Sequence, residues 1–276
     1  MAIIDVSELL PHARDEDESK WLVEGLIAHA SLGLCGASPK TGKTWLGLQM
    51  ALAVSTGTPF LGHFKTHKAR VLFWECEDSA KLLAERTSAL IRGHGLPNPE
   101  PGHLQFAVEP AHIDTSDGLN RLRQVLSETK AELLILDTFN RSHALNESLQ
   151  THASQLITAL DSLRREFNVA LLGTHHVSKA GKSGQGGKAL RGSSVIHAGL
   201  ENSLYLWATE TPGIIRAEPE SKYGAPEAFI YEQVAGEGSM RLTRIEESAR
   251  PVPFVTKRTK RLERERRKKR ARAGGR

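Results

Sequence analysis

From Trp21 onward, short apolar runs alternate with longer stretches in which apolar residues recur every three or four positions. Four runs, 32–36, 71–75, 133–137 and 169–174, are apolar almost throughout, as strands covered on both faces must be. The spacing between them predicts helices over 43–55, 79–93, 118–131 and 152–167. In the last of these Leu156, Leu160 and Leu163 repeat at helical spacing, and Gly93 reads as the stop of the second. Such alternation predicts an α/β fold with a mostly parallel central sheet. From Ser203 the pattern changes to short β runs, 204–208, 214–218, 229–234 and 240–245, separated by Pro and Gly. These predict antiparallel strands that extend the same sheet. The chain is thus expected to comprise an N-terminal lead-in at 1–20, one α/β domain at 21–250 and a tail at 251–276.

Composition narrows the class. Hydrophobic content of 39% and charged content of 25% are ordinary for a soluble globular protein. No apolar run approaches the ~18 residues of a membrane span, and the first residues lack a signal-peptide pattern. The two cysteines, Cys35 and Cys76, lie inside apolar runs. They exclude a disulfide scaffold, read as core residues, and point to a reducing cytoplasm. The four tryptophans read as packing residues, with no base-stacking role.

Charge adds a division that hydropathy does not show. The net charge is +5, yet residues 257–276 hold 12 Lys/Arg against Glu263 and Glu265. The preceding 256 residues carry 25 basic and 30 acidic side chains, a net −5. A block this basic cannot bury a core; it reads as a disordered arm for a polyanion or an acidic partner.

The candidate chemistry sits at the ends of the predicted strands. LCGASPKTGKTWLGLQMALA follows a strand and opens a helix, the context of a phosphate-binding P-loop. Ala37 stands where the strict pattern has Gly, but Gly42, Lys43 and Thr44 are in place. Backbone N–H groups and the helix N-terminus suit a phosphate, with Pro39, Lys40, Thr41, Gly42, Lys43, Thr44 and Trp45 as the nucleotide set. Lys43 is expected to bridge the β- and γ-phosphates of ATP from a solvent-facing loop, and Thr44 to bind Mg²⁺. LLILDT places Asp137 at a strand end as the second metal-side residue. VLFWECEDS ends another strand, where Glu77 is the expected general base and Glu75 is expected to turn to a different face.

Together ASPKTGKTWLGLQMA, WECEDS, LLILDT, GTHHVSKAG, RGSS and SKYGAP resemble the RecA-type P-loop ATPases, and among them the hexameric plasmid replicative helicases of the RepA kind. The resemblance spans roughly residues 21–245. It implies a RecA-like domain hydrolysing Mg-ATP, with His175 or His176 sensing the γ-phosphate. It also implies a homo-hexameric ring passing single-stranded DNA along a loop with Lys179, Lys182, Lys188 and Arg191, aided by the basic tail. That loop has no aromatic residue, so binding is expected to be backbone-directed and salt-sensitive. A basic finger acting on the neighbouring subunit's nucleotide maps onto Lys222, with Arg191 and Arg216 as rivals. Two further readings stay open: a non-translocating ATPase switch that loads or regulates a partner, and a protein-binding role for the tail.

Overall fold

The structure, a computed structural model, describes residues 5–6, 20–178, 183, 186 and 194–246. The strands are β1 (Trp21–Val23), β2 (Ile27–Ala28), β3 (Leu32–Ala37), β4 (Val71–Glu75), β5 (Leu104–Val108) and β6 (Leu133–Asp137). They continue with β7 (Ala170–His176), β8 (Asn202–Ala208), β9 (Ile214–Ser221), β10 (Phe229–Gly236) and β11 (Ser239–Ile245). The helices are α1 (Lys43–Thr56), α2 (Ala80–His94), α3 (Ser116–Thr129), α4 (Gln150–Phe167) and α5 (Ser194–Gly199).

Strands β3 to β11 form one sheet in the order β11-β10-β9-β8-β3-β7-β6-β4-β5, and β1 and β2 pair separately. From β8 to β5 all neighbours are parallel; β8, β9, β10 and β11 pair antiparallel. This is the RecA-like α/β arrangement, a parallel centre extended by antiparallel strands. The parallel centre is buried because both faces are covered. On one face α1 and α2 pack Leu46, Leu48, Met50, Leu83 and Leu90 against Val71, Phe73, Ile135 and Leu172. On the other, Leu122, Leu126, Leu156, Leu160, Leu163 and Ile196 cover Leu32, Leu34, Leu72 and Leu134. No helix among the described residues is long and apolar enough to cross a membrane.

Two local readings change. Helix α2 does not stop at Gly93: it runs through His94, and Gly95 is the left-handed cap at φ +61°, its N–H bonding to the Arg92 and Ile91 carbonyls. Gly93 serves packing instead, for a Cβ there would lie 2.1 Å from the Met240 carbonyl oxygen on β11. Strand β5 is not among the expected strands. It is an edge strand with Gln105, Phe106 and Val108 exposed, so its sequence lacks the mark of burial on both faces.

Lead-in residues 1–4 and 7–19, loop residues Lys179, Lys182, Lys188 and Arg191, and the tail from 247 onward lie outside the described residues.

Candidate nucleotide-binding site

Strands β3, β7, β6 and β4 are adjacent and parallel, so their carboxyl ends bring residues 37–44, His176, Asp137 and 75–78 to one end of the sheet. Ligands of open α/β sheets bind at this end. Ser38, Pro39 and Lys40 are exposed there. The turn needs left-handed backbone at Lys40 (φ +64°) and Gly42 (φ +97°), and the Thr41 hydroxyl closes it on the Ser38 carbonyl at 2.9 Å. Gln233 of β10 crosses over this turn, its Nε2 donating to the Thr41 carbonyl at 3.2 Å. A Cβ at position 42 would meet that amide at 2.4 Å. Sequence spacing does not suggest Gln233, which lies 192 residues from Thr41.

Lys43 opens α1 but does not face solvent as expected: it is only 7% exposed. Its ammonium donates to the carbonyls of Ala37 and Ser38, each at 3.3 Å, and to His176 Nδ1 at 3.4 Å. These acceptors are all neutral. Burial lowers the Lys43 pKa, against the opposing pull of Cys35, Asp137 and Glu77. A cation held in this way stands to gain from an arriving polyanion.

Asp137 is 1% exposed. It accepts hydrogen bonds from the Thr174 and Thr44 hydroxyls. Burial raises its pKa, and those two bonds, Lys43 and Arg86 oppose the shift. Beside it, in register on β4, is Glu75. Directly paired residues share a sheet face, so Glu75 does not turn away as expected. It is 2% exposed, and burial, with Asp137 adding to it, pushes its carboxyl up to about 7. Its Oε1 accepts the Glu77 and Asp78 N–H groups at 2.9 Å each, while its buried Oε2 has no partner among the described residues. The Thr44 hydroxyl, the Asp137 carboxylate and this orphan oxygen are hard donors that fit a Mg²⁺ ion.

The turn that Glu75 holds carries Glu77 into solvent, 3.9 Å from the Arg141 guanidinium, and Asp78 into an ion pair with Arg86. Trp45 turns its ring to Arg86, whose guanidinium lies 5.8 Å from the ring centroid. Its side chain also packs on the core between the sheet and helices α1 and α2. Burial pushes the thiols of Cys35 and Cys76 up to about 12, so both stay protonated at neutral pH.

The two histidines separate, as neighbours on a strand do. His176 faces Lys43. Burial first, then the Lys43 and His175 charges, lower its pKa, so the neutral ring can accept the lysine proton at Nδ1. His175 points the other way into the core, 1% exposed, against Glu147. Lys222 follows Ser221, whose partner on β8 is Asn202, itself paired with Gly33 at the start of β3. That is roughly 16 Å, one strand length, from the P-loop at the far end of β3. Arg216 is paired with Glu218 at 3.2 Å.

The family profile described as "AAA domain" matches residues 11–182. Among solved structures, one ATPase domain superposes with a TM-score of 0.64 at 15% identity, over 89% of this chain and 100% of that one. The KaiC-like protein PH0186 from the hyperthermophilic archaeon Pyrococcus horikoshii OT3 superposes with a TM-score of 0.53 at 14% identity. That match covers 83% of this chain and 94% of the other. At these identities the likeness is one of fold.

Proposed function

Because the chain belongs to the AAA domain family and carries a P-loop ATPase domain, we propose that it is an ATP-driven, ring-forming helicase or translocase acting on single-stranded DNA in replication. The observation that carries this reading is the contact between Lys43 and His176. It puts a phosphate-binding cation against a strand end that leads, three residues later, into the segment with Lys179, Lys182, Lys188 and Arg191. Nucleotide state and grip on a polyanion are then neighbours in the sequence.

In this mechanism Lys43 exchanges its carbonyl partners for the β- and γ-phosphates of ATP. Thr44 and Asp137 would hold Mg²⁺, which supplies charge neutralisation between those phosphates. Glu75 fixes the turn, and Glu77, exposed at its tip, takes the proton of the attacking water. His176 donates to or releases the γ-phosphate as the bond breaks.

The test is steady-state ATP hydrolysis with and without single-stranded DNA, at low and moderate salt, with Lys43→Ala as the blank. Stimulation that weakens as salt rises is expected. Turnover indifferent to DNA sinks the motor and favours an ATPase switch that controls a protein partner.

A further inference from the structure

Behind the nucleotide site lies a second, buried polar cluster. Glu147, 9% exposed, sits between two histidines: its Oε2 is 2.8 Å from His175 Nε2 and its Oε1 is 3.1 Å from His143 Nε2. The other ring nitrogen of His175 is 2.8 Å from the His176 carbonyl oxygen. A carbonyl only accepts, so the Nδ1 that meets it is a donor, while Nε2 meets the Glu147 carboxyl. Burial by itself would raise the Glu147 carboxyl, yet the hydrogen bonds from His143 and His175 overcome it and hold the group at about 2. His175 thus bridges the Glu147 carboxylate and the backbone of the residue that touches Lys43. The Phe139 ring closes the cluster, its centroid 5.1 Å from His143 and 5.6 Å from His175.

Chain order gives the cluster its meaning. Phe139, His143 and Glu147 belong to the segment that runs from Asp137 on β6 to the start of α4. His175 and His176 end β7. The strand end that carries His176 is thus tied, through the buried Glu147–His175 contact, to the segment that leaves the metal-side carboxylate. A buried polar cluster seldom adds net stability over apolar packing, which points to its use in fixing a geometry.

We propose that Glu147 is a positioning residue for ATP hydrolysis: through His175 it sets the His176 backbone and couples the β6 and β7 strand ends. This rests on the ATPase reading above. Glu147→Gln keeps the shape but removes the carboxyl group that meets the His175 and His143 rings. Its kcat should fall at least tenfold, with the Kd for ATPγS within twofold of wild type, and Glu147→Asp should recover part of the loss. In the wild-type protein the two ring-proton resonances of His175, assigned with His175→Gln, should shift between Mg-ADP and Mg-ATPγS.

Normal turnover in Glu147→Gln, or His175 resonances indifferent to nucleotide, overturns the coupling while leaving the ATPase intact. The resonance measurement uses the wild-type chain, so it decides the matter even where Glu147→Gln does not fold. A wild-type protein that binds no ATPγS overturns the nucleotide site itself, and the coupling with it.

Discussion

Glu75 and Lys43 show the site working against its own electrostatics. The Glu75 carboxyl titrates near 7 when folded, against 4.5 as a free group. Below pH 4.5 both folded and unfolded chains hold the proton, and no stability is lost. Between 4.5 and 7 the folded chain still binds it while the unfolded chain has released it, so stability falls as pH rises and levels off above 7. Glu75→Gln removes that loss and can still accept the Glu77 and Asp78 N–H groups. The variant should gain on wild type by about 3 kcal/mol at pH 8, with the gap closing toward pH 4.5. Urea unfolding at the two pH values measures it; a gap independent of pH would mean that Glu75 is not held protonated. Burial also works against the Lys43 charge and lowers its pKa. Lys43→Ala should therefore leave the fold at least as stable while it abolishes turnover.

At the scale of elements, the contact of α2 with β11 decides how the antiparallel extension sits on the parallel centre. It is made by close backbone approach at Gly93 and by His94, whose Nε2 accepts the Leu242 N–H at 3.0 Å. Gly93→Ala drives a methyl into the Met240 main chain, which cannot rotate aside, and should cost roughly 2–3 kcal/mol. Gly95→Ala meets nothing within 4 Å among the described residues and suffers only the left-handed backbone, about 1 kcal/mol. Denaturation midpoints of the two variants rank them, and the reverse order would place the constraint in the cap. This contrast marks what the sequence can and cannot show. The strands ending at Glu75 and Asp137 are legible because burial on both faces writes an unbroken apolar run. The P-loop is legible because its residues are contiguous. The stop of α2 falls elsewhere than expected because two nearby glycines serve different ends. Glu147 and Gln233 are invisible in the sequence because their meaning lies in partners 28 and 192 residues away. The face of Glu75 differs from expectation because strand alternation is a poor guide at the point where the strand ends.

Across the whole molecule, the position of Lys222 bears on assembly. The strand length that separates it from its own P-loop argues against service to a nucleotide bound there. If it acts on phosphate at all, it does so in a neighbouring copy. A lysine presents a point charge without the planar fork of arginine, so its contribution depends on how closely the neighbour's turn approaches. The ring reading then makes a prediction that no single-chain reading shares. Lys43→Ala and Lys222→Ala should each be inactive alone. Mixed, they form interfaces in which an intact Lys43 of one copy meets an intact Lys222 of the next, and part of the ATPase should return. Sedimentation velocity on the same mixtures, with ATPγS and single-stranded DNA, reports whether the copies associate. Association without recovered turnover would move the finger elsewhere, with Arg216 and Arg191 the next to substitute. A chain that stays monomeric with both ligands present would end the ring model.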